Sequence, residues 1–298
     1  MKKIIVLLSL VFTINPLFSG SGQAGMAFLS LPSSASSGAV MNVFTSSRQT
    51  PATIFNSPLG IGSDKARISF SHNMWFSDVS SEVLALSFPT KYGNVGVGGN
   101  FVRIPGIEVR FKPTDQPEQE IEGQYFSGNL TYNKEIIKSV KIGGTLKYLY
   151  EYGYNESAHG IAADMGIIWN SPADLNISLL LKNVGEMQNL YQNATKLPTI
   201  IQIGAMRPEI LNEGPLSLAI GCNLKMNTQS EENGAQFGTE ASLFEIFNLR
   251  AGYEQFGDVS KKAFGAGINY NKITIDYALL IMDNGLGNPK LLSVGYQF

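Results

Sequence analysis

The chain ends in LLSVGYQF, residues Leu291 to Phe298, a stretch in which large apolar side chains alternate with smaller or polar ones. Successive side chains of a β-strand point to opposite faces, so Leu292, Val294, Tyr296 and Phe298 share one face. The last residues of a soluble domain are usually frayed and polar. This pattern therefore predicts a terminal strand whose apolar face lies against an apolar surface.

The other end of the chain is typical of an export signal. Lys2 and Lys3 precede an apolar run over residues 4–14, and small residues follow at positions 19–21. A basic start, a short apolar core and a small-residue exit indicate a secretory signal peptide, whereas a membrane anchor needs about 20 apolar residues. We predict that residues 1–20 are a signal peptide and that the protein is exported from the cytoplasm of a Gram-negative-type bacterium.

No later apolar run reaches the length of a membrane-spanning helix. Asp164 interrupts the run that begins at residue 161, and Lys182 interrupts the run that begins at residue 179. A spanning helix is therefore excluded, but a spanning barrel is not, because barrel strands are short and only every second residue faces lipid.

Composition narrows the class further. Only 15% of the residues are charged, against a typical value of about 25%. The chain has 22 Lys and Arg residues and 24 Asp and Glu residues, which argues against a nucleic-acid partner because such partners need a basic surface. Cys222 is the only cysteine, so there is no internal disulfide. The composition leaves two all-β classes open, a barrel in lipid and a sandwich.

Segments of alternating character, separated by turn residues, fill the chain from residue 66 onward. We count about fourteen, an even number as in bacterial barrels. The predicted strands are 66–76, 80–90, 93–104, 122–133, 139–151, 157–170, 173–184, 197–207, 215–227, 235–244, 247–256, 262–270, 273–283 and 290–298.

The polar faces of these segments favour the barrel over the sandwich. In the fifth segment, Ile142, Gly144 and Leu146 share an apolar face, while the intervening side chains are small or polar. A sandwich face bathed in water normally carries many Lys and Glu residues, whereas a barrel lumen accepts small and polar residues with occasional charges. Lumen-facing Lys147 and Asp276 either tune a channel or form internal ion pairs.

Loop lengths and aromatic residues predict how the barrel is oriented. Connections such as 105–121 and 185–196 are long and should face outward, while the turn at 271–272 should face the periplasm. An outer aromatic girdle is predicted at Tyr148, Tyr150, Tyr152 and Tyr154, and an inner one at Tyr296 and Phe298.

The region before the first strand, residues 21–65, is rich in Ser, Gly and Ala and lacks strict alternation. Small residues allow a chain to pack inside a lumen, so we predict a plug with a motif at Asn56, Pro58 and Gly60. The alternative is a periplasmic extension. Residues 66–298 then form the transmembrane barrel.

Catalytic and metal-binding patterns are weak. Ser71, His72 and Asn73 are the residue types of a hydrolase site, but neighbours in a strand face opposite ways and cannot form a triad. The two His residues and single Cys lack zinc spacing, and the acidic residues near position 120 are typical of a solvated loop. We predict no enzyme activity, no cofactor and no metal.

Several stretches resemble the PorV/PorQ family of outer-membrane proteins. Each is short, and together they span nearly the whole mature chain, although Ser57 separates Asn56 from Pro58 where the family has an Asn-Pro pair. The stretches are 25–29 (GMAFL), 56–60 (NSPLG), 70–78 (FSHNMWFSD), 275–278 (IDYA), 285–287 (GLG) and 292–298 (LSVGYQF).

The resemblance implies a FadL-like barrel of fourteen strands that handles secreted proteins in type IX secretion. It also implies that the terminal aromatic residues, Tyr296 and Phe298, form the signal read by the barrel-assembly machinery. The expected partners are therefore the outer-membrane bilayer, that machinery and, in this interpretation, secreted proteins or other secretion components. The alternative is a FadL-like channel for small hydrophobic compounds, with residues 21–65 as its hatch.

Overall fold

The structure, a computed structural model, describes residues 25–47, 49–62, 64–113, 115–190, 193–230, 232–283 and 287–298. The predicted signal peptide lies outside these residues. Fourteen antiparallel strands form a closed barrel, as the sequence predicts, and two further two-residue strands form a hairpin in one connection. The strands are β1 (Arg67–Met74), β2 (Ser80–Thr90), β3 (Gly93–Val109), β4 (Gln119–Ile137), β5 (Val140–Gly153), β6 (Glu156–Asn170), β7 (Asn176–Met187), β8 (Asn189–Leu190), β9 (Asn193–Ala194), β10 (Ile200–Glu213), β11 (Leu216–Asn227), β12 (Asn233–Leu243), β13 (Phe247–Phe256), β14 (Val259–Tyr270), β15 (Ile273–Met282) and β16 (Lys290–Gln297).

Strands β3, β4 and β10 run into segments that were predicted as connections because of their proline and glycine residues. The pairing of β3 with β4 shifts register between Ile104 and Ile107 and then continues to Val109 and Gln119, so both strands extend into the predicted loop 105–121. The pairing of β10 with β11 shifts between Arg207 and Leu211, around Pro208. A β-bulge absorbs the missing hydrogen bond of a proline without ending the strand.

The barrel closes where β1 pairs with β16, with Arg67 opposite Gln297. We call the end that contains these two residues the lower end and the opposite end the upper end. Connections at the lower end are at most five residues long and include 91–92, 138–139 and 271–272. The longest connections, 110–118 and 188–199, lie at the upper end, in line with the predicted alternation.

The outer surface of the barrel is apolar. Ile161, Met165 and Leu249 are each more than 60% exposed, and large apolar residues occupy alternate positions on the other strands as well. Inward-facing positions carry small and polar residues, such as Thr131 and Thr145, which are buried. An apolar band that surrounds a closed barrel is suited to lipid and not to water. Among the described residues, no helix is long and apolar enough to cross a membrane.

The N-terminal segment, residues 25–62, packs against lumen-facing side chains. It contains 3₁₀ turns at Ala27–Ser30 and Pro51–Phe55 and one short helix, α1 (Ala35–Ala39). The helix begins at Ser34, whose hydroxyl accepts a hydrogen bond from the backbone N–H of Ser37. Helix α1 contacts β13 to β16, and the second turn contacts β1 to β4. These two sets of strands are adjacent around the barrel, because β1 pairs with β16, so the helix and the turn line one continuous arc of the wall.

Candidate functional site: the lumen and the N-terminal segment

The predicted plug motif holds the N-terminal segment folded upon itself. The Asn56 side chain accepts a hydrogen bond from the Ser33 hydroxyl at 2.7 Å and donates one to the Leu31 carbonyl at 3.0 Å. The Pro58 carbonyl accepts a hydrogen bond from Asn133 of β4 at 2.9 Å. A Cβ added to Gly60 would lie 1.9 Å from the Thr45 carbonyl oxygen, so only glycine fits there.

The predicted outer girdle lies near the upper end of β5. Tyr148 and Tyr150 face outward, and their rings lie 5.8 Å and 5.2 Å from the ring of His159 on β6. Tyr152 follows on the same face, while Tyr154 lies in the connection after β5 with a left-handed φ of 45°. The side chains therefore occupy the level at which an interfacial belt is expected. Their role as a girdle stays a prediction.

Tyr296 and Phe298 lie at the lower end. Their rings meet edge to face with centroids 5.2 Å apart, and the backbone N–H of Phe298 donates to the Ala66 carbonyl at 3.0 Å. The Phe298 side chain is half exposed on the outer face. This position suits an inner girdle, and the role as an assembly signal stays a prediction.

On β3 and β5, a polar inward-facing residue is followed by an apolar one toward the upper end. On β5, Lys147 is followed by inward-facing Leu149, and on β3, Asn100 is followed by inward-facing Val102. We call the resulting cluster the upper apolar compartment. Its wall consists of Val102, Tyr125, Leu149, Ala158, Ala162, Met187, Leu190 and Leu197.

Side chains of the N-terminal segment fill this compartment. Met26, Phe28 and Leu29 pack against its wall, and the Phe28 ring stacks on Tyr125 with centroids 5.5 Å apart. A void of about 10 Å³ lies between Phe28 and Lys147. Met26 has a left-handed backbone with φ of 53°, which is unfavourable for a residue other than glycine. The compartment is thus closed by the chain itself.

Buried charges form the floor of the compartment. The Lys147 ammonium lies 2.7 Å from Asp164 Oδ2 and donates to Asn183 Oδ1 at 2.6 Å. The other oxygen of Asp164 accepts from the backbone N–H of Asn183 at 2.7 Å. Lys182 is also buried, and its ammonium interacts electrostatically with Asp164.

Two further ion-pair groups lie on the opposite wall. Arg250 binds both Glu240 and Asp276, the latter at 2.5 Å. Glu254 accepts from Lys225 and Lys261, each at 3.0 Å. Of the two roles considered for Lys147 and Asp276, the structure therefore shows internal ion pairs.

The barrel wall is incomplete beside the compartment. Strand β7 pairs with β10 only over residues 176–182, and its residues 183–187 pair with β6 alone. A bulge with a φ of 57° at Asn183 marks the change. There the Asn183 side chain donates to the Pro198 carbonyl at 3.0 Å, so one side chain joins the wall to the upper connection.

A separate polar cavity opens beneath the N-terminal segment at the lower end. Its volume is about 420 Å³, and Arg67, Asn248, Arg250 and Asp276 are among its lining residues. This cavity differs from the upper apolar compartment, because charged and amide side chains line it.

The structure shows where the residues of the weak hydrolase pattern on β1 lie, and whether metal-ligating side chains cluster. The hydroxyl of Ser71 faces inward and lies 2.8 Å from Ser293 Oγ, whereas His72 faces outward and its Nδ1 lies 2.5 Å from Glu82. The two side chains are therefore on opposite faces, as the alternation predicts. Within the described ranges, no group of three His, Cys, Asp or Glu residues is placed to hold a metal ion.

No family model matches the chain, and no curated protein matches it. Several solved structures match over most of their length. The monoaromatic hydrocarbon channel CymD matches with a TM-score of 0.63 and 8% identity, over 89% of this chain and 97% of that one. The Ralstonia pickettii toluene transporter TbuX matches with a TM-score of 0.61 and 10% identity, over 90% and 98%. A Pseudomonas aeruginosa FadL homologue matches with a TM-score of 0.59 and 11% identity, over 93% and 99%.

The chain has a FadL-like barrel fold. Within this fold, the sequence did not point to Asp164, Lys182 and Asn183 as partners in one site. Asp164 and Lys182 had a visible signal, because each is a charge at an inward position of an alternating segment. Asn183 had none, because its bulge reverses the alternation of the strand.

Proposed function

We propose that this protein is a non-enzymatic outer-membrane channel for small hydrophobic compounds, with residues 21–65 as its hatch. In this orientation the upper end faces outside and the lower end faces the periplasm. The observation that carries the proposal is the upper apolar compartment, whose apolar wall is filled by Met26, Phe28 and Leu29. An apolar wall with few polar groups is typical of sites for hydrophobic ligands.

Two further features support a route through this compartment. The missing β7–β10 pairing lies beside Met187 and Leu197, which belong to the compartment wall. The matched structures CymD and TbuX are described as channels or transporters of monoaromatic hydrocarbons and toluene. At 8–10% identity that likeness concerns the fold, so the substrate class rests on the compartment.

The resemblance to the PorV/PorQ family implies a different task, type IX secretion. No comparison supports that identification, whereas the matched structures CymD and TbuX are described as a hydrocarbon channel and a toluene transporter. We therefore retain the hydrophobic-compound channel, which the sequence offered as the alternative.

The test compares uptake of toluene into vesicles that contain the purified protein. Replacing Phe28 and Leu29 together by Ala should raise uptake several-fold, because it empties the compartment while leaving its wall intact. Uptake is measured above that of protein-free vesicles, because toluene also crosses the bilayer directly. Replacing Ala162 by Glu should remove this protein-dependent uptake, because a charge in the apolar wall is costly to desolvate. Phe44→Ala is the matched control, since Phe44 is buried in the same segment but packs against Val43 and Ala219.

Uptake that is the same in the parent, the double variant and Ala162→Glu would contradict the proposal. Heat-dependent gel mobility shows that each variant is a folded barrel, so failure to fold is distinguished from failure to transport.

A further inference from the structure

Gly144 on β5 has no explanation in the backbone or in the packing of the protein. It faces outward between Ile142 and Leu146, and it is not among the glycines with positive φ. A Cβ added there would meet only the Asp164 carbonyl oxygen, at 3.6 Å. By contrast, a Cβ on Gly143 would lie 2.9 Å from the Pro58 carbonyl oxygen. Glycine weakens a strand interior, and it often marks a place where a ligand approaches closely.

The absent side chain leaves a groove on the outer surface of the barrel. The groove has a volume of about 410 Å³ and is lined by Tyr132, Ile142, Gly143, Gly144, Met165, Gly166, Ile167, Leu179 and Leu181. The one side-chain polar atom among these, the Tyr132 hydroxyl, donates to the Tyr92 carbonyl at 2.7 Å. The groove therefore offers no free side-chain N–H or O–H donor, and its lining suits an apolar occupant.

A cation and an aromatic ring border the groove on the side of the lower end. Lys134 is exposed, follows Tyr132 on the outer face of β4 and lies opposite Ile142. Trp169 follows Ile167 on the outer face of β6 and is 44% exposed. Lysine and tryptophan at this level are suited to the lipid headgroup region, where Lys attracts phosphate.

We propose that the groove is a binding site for one glycerophospholipid of the leaflet at the lower end. One acyl chain lies over Gly144, and the phosphate lies at Lys134. The apolar lining matches the chain, the lysine matches the phosphate charge, and the groove opens toward the bilayer. This site is independent of the channel proposed above, because it lies on the outer face of the wall.

Trp169 provides the readout. In a Trp75→Phe background it is the only tryptophan of the chain. Phospholipids with brominated acyl chains quench a nearby tryptophan, so quenching is measured in vesicles containing a small fraction of brominated anionic phospholipid. The fluorescence of Trp169 in the parent should be quenched several-fold more than expected from the fraction of brominated phospholipid in the vesicle. Gly144→Leu should reduce quenching to the bulk level, and Lys134→Gln should remove the preference for anionic over zwitterionic lipid.

Ala266→Leu is the matched control, because Ala266 also faces lipid on β14, seven strands away around the barrel. It should leave quenching unchanged, and Gly144→Ala, which fills the groove less, should give an intermediate value. Two results would overturn the proposal: quenching of the parent at the bulk level, or equal quenching in the parent and Gly144→Leu. A third result would also overturn it: the parent forms a cross-linked dimer, Gly144→Leu does not, and the two are quenched equally. The occupant of the groove would then be a second copy of the protein.

Discussion

At the residue scale, the charges that interrupt the apolar runs of the sequence are the ones that organise the lumen. In the sequence, Asp164 and Lys182 interrupt two apolar runs and so argue against membrane-spanning helices. In the barrel, both residues lie beneath the upper apolar compartment. Alternation alone predicts that both face inward. It could not predict that Asn183 joins them, because the bulge at that residue changes the facing of the strand.

The Lys147–Asp164 pair should be strongly coupled, because both side chains are almost fully buried. Asp164→Asn removes the carboxylate beside two buried ammonium groups, so we expect a loss of about 3–5 kcal/mol in the free energy of unfolding. Urea unfolding in lipid vesicles measures it. The double variant Lys147→Met and Asp164→Leu should lose less, since Lys182 is then the one ammonium left beside the missing carboxylate, instead of two. Equal losses in the two variants would contradict the coupling.

Variants at Phe298 test whether this residue is an assembly signal, a role that its position at the lower end does not establish. Deleting it should sharply lower the abundance of the protein in the outer membrane, whereas Phe298→Tyr should stay near the parent level because a ring remains. The folded barrel should lose only a few kcal/mol at most, the value of one buried aromatic side chain. Immunoblots of outer-membrane fractions measure abundance. Unchanged abundance after deletion would show that Phe298 only contacts lipid.

At the element scale, period-two alternation predicts all fourteen barrel strands, and its errors fall at prolines and glycines. Pro105-Gly106 and Pro208 were interpreted as turns, but both lie in bulges within continuous strands. The internal fold of the N-terminal segment could not be predicted from the sequence, because its hydrogen bonds join residues such as Ser33 and Asn56, which are 23 positions apart. No local pattern specifies such contacts.

Variants at two adjacent glycines of β5 test the inner and the outer face of this strand separately. Gly143→Val should push residues 58–62 away from the wall, because its Cβ would lie 2.9 Å from the Pro58 carbonyl oxygen. We expect backbone amides in residues 51–61 to exchange at least about tenfold faster, a change of roughly 1.4 kcal/mol in local opening. Gly144→Val should leave exchange unchanged, since that position faces outward. Equal exchange in the two variants would contradict the packing of the segment.

At the scale of the whole molecule, the sequence predicts the closed barrel because its two ends are complementary in pattern. The final alternating stretch pairs with β1, and this pairing closes the sheet. The sequence also separates the barrel from a sandwich through its small and polar inner face. It does not predict where the wall opens, since that depends on how far β7 and β10 run beside each other.

The orientation of the barrel has a direct test on intact cells. In a Cys222→Ser background, Gln116→Cys in the upper connection should react with an impermeant thiol reagent. Asn271→Cys at the lower end should react only after the outer membrane is permeabilised. Labelling of Asn271→Cys alone on intact cells would show that the barrel is inverted.

The central claim is that the upper apolar compartment binds small hydrophobic compounds. Anomalous diffraction from crystals soaked with bromobenzene locates a bound apolar ring directly. We expect a bromine peak between Leu149, Ala162 and Met187, with Phe28 displaced from Tyr125. A peak confined to the outer surface, with Phe28 still stacked on Tyr125, would contradict the claim.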